Sequence, residues 1–451
     1  ETGLAETSMT RLEARDPMKT YNKMSFVEFQ EKTPEYDWQA YFETLGIETP
    51  EELNIRMPEF FTEINNSIKN VPVDTWGKYL KWNVLNRNAN YLSEEIEKAD
   101  FDFYQAYLSG VKEMKPRWKR MTENLSGYLG EPLGKIYVKK HFPPEAKERM
   151  ENLVANLKTS LGDRIRDLKW MSDSTREKAL EKLEAMTVKV GYPDDDKWID
   201  YSNFEVVEGD WLANIYNGRK FFKQRSLDRI GEPVDRDEWI MPPQTVNAGY
   251  IPVYNQIVFP AGILQPPFFF MDADDPVNYG AIGVVIGHEM THGFDDKGRQ
   301  FDKDGNLTDW WQPADAEKFE AQTKILVDQF NNFTVLDSLH VSGELTLGEN
   351  IADNGGLNIS WDAMQKAIKN LEPATIQGFT PEQRFFLAYA QLWRQTIRDA
   401  EMTRRLKEDV HSPGIARVNA ALPNIWNFYK AFGIEKDDEL YVAEKERADI
   451  W

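Results

Sequence analysis

The chain is 451 residues long, 41% hydrophobic, with a formal net charge of -21 and a pI near 4.9. So acidic a surface repels nucleic acid and anionic lipid, and neither is expected as the main partner. With no cysteine there is no disulfide, no thiolate metal site and no Cys nucleophile, so any metal has to be held by His, Asp or Glu.

That length and apolar fraction suffice for a buried core and two or three domains. No run approaches the roughly 18 apolar residues that span a bilayer. The most apolar stretch, "IVFPAGILQPPFFFM", carries three prolines that would break a helix. The sequence opens at Glu1 without a methionine or an export segment, so an upstream segment carrying any localisation signal is expected.

In chain order, the first half reads as helical scaffolding to about residue 190. "GEPLGK", Gly130 to Lys135, lacks the spacing and the following Ser or Thr of a phosphate loop, and a turn between helices is expected there. In "PPEAKERMENLVANLKTSLGDRIRDLKWM" apolar residues fall at Met150, Leu153, Leu157, Leu161, Ile165 and Leu168. That is the spacing of an amphipathic helix, and Pro143 and Pro144 suit its start. "SDSTREKALEKLEAMTVKVGYP" offers an Asp or Ser cap, a charged helix and a short β-branched run stopped by Gly191 and Pro193.

From about residue 240, "MPPQTVNAGYIPVYNQIVFPAGILQPPFFF" is extended, aromatic-rich and punctuated by Pro and Gly, which predicts strands and a buried loop. "DKDGN", Asp302 to Asn306, resembles the opening of a calcium loop. Leu307 stands where that loop needs glycine and Pro313 where it needs a bidentate glutamate, so an ordinary turn is expected.

"DPVNYGAIGVVIGHEMTHG" reads as a helix opened by Asp275 and Pro276 and closed by Gly293. Positions four apart share a helix face, so His288 and His292 can present both rings to one ion, as zinc requires. Glu289, one step round, lies beside that ion, where a general base for an activated water has to stand. Two histidines leave a catalytic zinc site one protein ligand short. Downstream, "LGENIADNGGL" puts Glu349 and Asp353 on one face of a second helix, flanked by Gly348 and ended by Gly355 and Gly356. One carboxylate can bind the metal while the other accepts a hydrogen bond from a ligating imidazole.

These stretches, with "NAGYIPVYNQIVFPAGILQPPFF" upstream, "GFDDKGRQFDKDGNLTDWW" after the HExxH and "EDVHSPGIARVNAALPN" further on, resemble the neprilysin family of zinc metallopeptidases in order and spacing. "RDPMKTYNKMS" extends a weaker likeness towards Glu1. The resemblance implies that His288, His292 and Glu349 are zinc ligands, Glu289 the catalytic base and Asp353 the carboxylate behind a ligand. It implies that Asn247 and Ala248 bind the substrate backbone as an added strand. His411 would stabilise the tetrahedral intermediate, with Asp409 orienting it, and Arg417 would contact a substrate carbonyl. The pocket for the side chain just after the scissile bond would be Ile263, Phe268, Val284, Val285, Leu392 and Trp393. Apart from the resemblance, His411 suits a donor aimed at a developing oxyanion, and the six pocket residues read as plain core. The chain departs from the family at Gly249, where an aromatic residue usually follows Asn-Ala, and in its ending "ADIW", which keeps Trp451 and lacks a nearby cysteine.

The expected fold is mainly α with a small β-sheet: a helical region over residues 1–190, part of a capping domain enclosing a cavity, and a thermolysin-like catalytic domain with the zinc site over 191–451. The expected activity is zinc-dependent endopeptidase hydrolysis of short peptides on the amino side of hydrophobic residues, with one Zn²⁺ per chain. Short peptides and an upstream segment of the same protein are the expected partners. The expected location is a bacterial cell envelope or the exterior rather than the cytoplasm. The alternatives are a fragment that needs its upstream segment for activity and a non-enzymatic peptide-binding or surface protein on the same fold.

Overall fold

Pro144–Asp167 forms the amphipathic helix that the periodicity predicts, and Met150, Leu153, Leu157, Leu161 and Ile165 are all buried along one face. In this computed structural model, which describes residues 1–372 and 374–451, the chain divides into two compact units. One comprises Glu1–Met114 with Asp200–Val234; the other comprises Lys115–Ile199 with Asp235–Trp451. The fold is mainly helical with small sheets.

In the first unit, helices Phe26–Lys32, Trp38–Leu45, Pro58–Asn70 and Val73–Asn88 accompany a two-stranded antiparallel ribbon, Lys23–Ser25 with Glu52–Asn54. The ribbon is a small addition to a region that the sequence predicts as mainly helical. Ser25 leaves it directly into a helix through a reciprocal cap, accepting from the Glu28 amide while Glu28 accepts from the Ser25 amide. The separate segment Asp200–Val234 contributes the helix Trp211–Leu227. Arg219 on that helix donates to Asn88 Oδ1 at 2.9 Å, and the Asn88 amide reaches the Tyr216 hydroxyl at 3.3 Å.

In the second unit, "GEPLGK" is not the expected turn. Its six residues open the helix Gly130–His141, and the break from the preceding helix, Arg117–Tyr128, is confined to Leu129. A Cβ on Gly130 would stand 2.9 Å from the Pro242 ring, so this glycine admits a neighbour rather than making a bend. The charged helix Asp173–Ala185 starts after Ser172, whose hydroxyl donates to the Asp315 carboxylate at 2.5 Å and caps no backbone amide of its own helix.

The β-branched run becomes the strand Thr187–Gly191, parallel to the wholly buried Gln256–Pro260, which pairs on its other side with the antiparallel edge strand Gly249–Ile251. Asn255 makes the tight return between the last two at φ 46°, a left-handed conformation that Asn tolerates better than most residues. "DKDGN" is the expected turn: Asp302 and Asn306 close it by a backbone bond of 2.9 Å, with Gly305 at φ 84°. No helix among the described residues is long and apolar enough to cross a membrane.

Candidate metal centre

The helix bearing "HEMTH" runs from Asp275 to Thr291 with a wide π turn at Tyr279–Gly283. Such turns leave carbonyls short of partners; here the Ser360 hydroxyl donates to the Tyr279 carbonyl at 2.6 Å. Ser360 lies on the second site helix, Leu347–Ile368, which is buried on nearly all sides over its first half. The sequence predicts that this helix ends at Gly355 and Gly356, but it runs straight through both. The reason is the neighbouring backbone. A Cβ on Gly356 would stand 2.6 Å from the Val284 carbonyl oxygen and 2.8 Å from the His288 nitrogen, and one on Gly287 would stand 2.9 Å from the Gly356 Cα. The glycines let two helices touch main chain to main chain.

That contact brings one donor from each of His288, His292 and Glu349 within 4.8 Å of one another. His288 Nε2 lies 3.0 Å from His292 Nε2, and Glu349 Oε2 lies 3.2 and 3.6 Å from the two. Each imidazole is fixed from behind: His288 Nδ1 faces Asp353 Oδ1 at 2.8 Å, and His292 Nδ1 faces Asp295 Oδ2 at 2.7 Å. With Nδ1–H donating to a carboxylate, each Nε2 turns a lone pair towards the other and towards Glu349, whose Oε2 is buried without a hydrogen-bond donor. Three facing acceptors call for a cation. Donors on a tetrahedral zinc at about 2.0–2.1 Å lie roughly 3.3 Å apart, close to the spacing of these atoms. Burial opposes charging either imidazole, yet Asp353 and Glu349 raise the pKa of His288, and Glu349 and Asp295 raise that of His292 well above the ordinary value. Burial likewise works against the Glu349 carboxylate, but His292 and His288 hold its pKa well below the usual range.

Glu289 is buried on the flank of the same helix turn. His411, on an exposed loop, points Nε2 to within 3.5 Å of Glu349 Oε2, and Asp409 Oδ1 accepts from both its Nδ1 and its backbone amide at 3.0 Å. Ser412 anchors that loop by donating to Asn350 Oδ1 at 2.7 Å. Arg417 is buried, with Nε and Nη2 paired to the two Asp353 oxygens at 2.7 and 2.5 Å and its guanidinium stacked 3.6 Å over the Trp393 ring. Burial raises the Asp353 pKa, but the Arg417 charge outweighs it and the net shift is downward.

Asn247, exposed, and Ala248, half-buried, immediately precede the free edge strand Gly249–Ile251, and a Cβ at Gly249 would meet only Met241, at 3.7 Å. Ile263, Phe268, Val284, Val285 and Trp393 join one continuous apolar cluster, while Leu392 is half-buried at the end of helix Pro381–Leu392. Sequence reasoning missed Asp295, whose signal was a carboxylate three residues after the second histidine, just past the helix end. Lys182 was missed as well; within "REKALEKLEA" it looks like any surface lysine.

Models of peptidase family M13 match residues 247–448 and, with an N-terminal model of the same family, residues 1–193. The chain is 35% identical to an endothelin-converting enzyme homolog of Locusta migratoria and 34% identical to neprilysin of Homo sapiens, each over 100% of its own length. It spans 64% and 63% of those two proteins. Among solved structures, it matches the Mycobacterium tuberculosis zinc metalloprotease Zmp1 in complex with inhibitor at TM-score 0.95 and 40% identity, covering 100% of this chain and 69% of that one. PepO from Lactobacillus rhamnosis matches at TM-score 0.89 and 28% identity, over 99% of this chain and 69% of that one.

Proposed function

The chain belongs to peptidase family M13, and from that premise we propose that it is a zinc-dependent endopeptidase cutting short peptides on the amino side of hydrophobic residues. The observation that carries this reading is the convergence of two imidazole nitrogens and one carboxylate oxygen, each held from behind or buried, beside Glu289. His288, His292 and Glu349 would hold the ion. When bound, Zn²⁺ supplies Lewis acidity towards a scissile carbonyl and towards water.

The chain's own residues do the rest. Glu289 takes the proton from the attacking water on its carboxylate and passes it to the leaving amine. His411, kept in one orientation by Asp409, directs its Nε2 proton at the oxyanion as charge develops there. Arg417 steadies Asp353 and so His288, and contacts a substrate carbonyl. Asn247 and Ala248 align the peptide along the free edge beside Gly249–Ile251, as strand addition requires. Ile263, Phe268, Val284, Val285, Leu392 and Trp393 receive an apolar side chain, which supplies the preference for hydrophobic residues. The matches to Mycobacterium and Lactobacillus proteins support a bacterial source; residence in the envelope or outside the cell rests on the family resemblance.

Glu289→Gln separates binding from chemistry. The variant should hold zinc like the parent and lose nearly all cleavage of a mixed-peptide library, while the parent's products begin with hydrophobic residues. Normal cleavage by the variant sinks the mechanism, and products without that preference sink the pocket assignment. The shorter span relative to the locust and human proteins favours one further requirement, a segment of the same polypeptide outside this chain. Cleavage that appears only when an upstream segment is supplied supports it.

A further inference from the structure

Lys182 is a buried cation outside the metal centre's own ion pairs, 1% exposed on a helix whose other charges are exposed or half-buried. Its Nζ donates to the carbonyls of Gly298 at 2.7 Å and Phe301 at 2.6 Å. Those carbonyls bracket the short 3₁₀ turn Gly298–Gln300, which follows the HExxH helix. The rings of Tyr250, Phe294 and Trp310 lie 5.7 to 5.9 Å away, and the Asp295 and Asp302 carboxylates are close enough to attract its charge. An ammonium taken out of water is costly unless bonded on all sides, and two carbonyls with three aromatic faces supply that environment.

The same turn does a second task. The amides of Lys297 and Gly298 donate to Asp295 Oδ1 at 2.9 and 2.6 Å, leaving Asp295 Oδ2 for His292 Nδ1 at 2.7 Å. Carbonyls of the turn are thus held by Lys182, while its amides hold Asp295. The contact is tight: a Cβ on Gly298 would run into the His292 carbonyl oxygen. The backbone carbonyl of Lys182 is itself fixed, accepting from the Asn255 amide at 2.9 Å, and Asn255 accepts from the Tyr250 hydroxyl at 3.1 Å.

We propose that Lys182 is a positioning residue for the metal centre: by clamping the 298–301 turn it fixes Asp295, which orients the ligand His292. The inference rests on the reading of His292 as a zinc ligand and does not depend on peptide cleavage. Carboxylates behind zinc-bound histidines typically contribute 10- to 100-fold in metal affinity, and a residue acting through one should recover a good part of that factor.

The test is a zinc-affinity cycle on the full chain by chelator competition. Lys182→Met, which keeps the packing against the three rings, should weaken zinc binding by roughly tenfold or more. Asp295→Ala should weaken it at least as much, and the double variant should bind no more weakly than Asp295→Ala alone. Lys182→Gln, which keeps N–H donors for the two carbonyls, should recover most of the loss. Hydrogen exchange at the Gly298 amide reads the clamp without metal, and should speed up in Lys182→Met and not in Lys182→Gln. Wild-type zinc affinity in Lys182→Met, losses that multiply in the double variant, or an unchanged Gly298 amide each overturn the proposal. A parent that binds zinc and cleaves no peptide sinks the peptidase reading alone.

Discussion

Single residues at this site differ in how much of their role can be read without a fold. His288, His292 and Glu289 announce themselves, because helical spacing alone puts two rings on one face and a carboxylate beside them. Asp353 is legible once Glu349 is seen four positions earlier. Asp295 and Lys182 are not, since a carboxylate past a helix end and a lysine in a charged helix take their meaning from chain that arrives from elsewhere. Lys182 also carries a pH signature. Burial pulls its pKa down from 10.5 to about 7, against the opposing pull of Asp295 and Asp302, with Tyr250 the other titratable neighbour. A base with a depressed folded pKa binds fewer protons folded than unfolded between those values, so its contribution to stability rises with pH from about 7 towards 10.5, at about 1.4 kcal/mol per unit. Measured by thermal melting from pH 6 to 9.5, the stability of Lys182→Met relative to the parent should therefore fall as pH rises. A constant difference would mean that the folded lysine stays protonated throughout.

At the scale of elements, periodicity and local chemistry were sufficient for the helix Pro144–Asp167 and for the buried strand Gln256–Pro260, whose residues satisfy their own environment. Glycine is the residue whose role is ambiguous in one dimension. Gly355, Gly356 and Gly130 look like stops and turns in one dimension, yet the first two sit inside a helix and the third opens one, and at each another segment passes where a Cβ would be. Nothing local distinguishes a glycine that bends the chain from one that admits a neighbour. Gly356→Ala should therefore destabilise the protein by roughly 1–3 kcal/mol despite the better helix propensity of alanine, as overpacking in a tight core does. Gly127→Ala, in helix Arg117–Tyr128 with nothing within 4 Å of the added carbon, should instead stabilise by roughly 0.5–1 kcal/mol. Denaturant melts of the two variants check both signs, and a neutral Gly356→Ala would show that the helices can part.

At the scale of the whole molecule, every residue assigned to the proposed chemistry lies in the unit formed by Lys115–Ile199 and Asp235–Trp451, even though the chain leaves that unit and returns. Stabilisation by bound zinc should follow the same partition. A ligand held at a thousand times its dissociation constant adds about 4 kcal/mol to the state that binds it. Chelation should accordingly speed hydrogen exchange in Val284–Thr291 and Leu347–Ile368 and leave Pro58–Asn70 in the other unit unchanged; equal loss in both would show that they unfold as one. Because the backbones of the helices bearing His288, His292 and Glu349 already touch, the helices cannot close further, and any adjustment to a guest ion falls to the side chains. Calcium asks for six to eight oxygens at 2.3–2.6 Å, while this centre faces inward with two imidazole nitrogens and one carboxylate oxygen, so the donor set itself favours zinc over calcium.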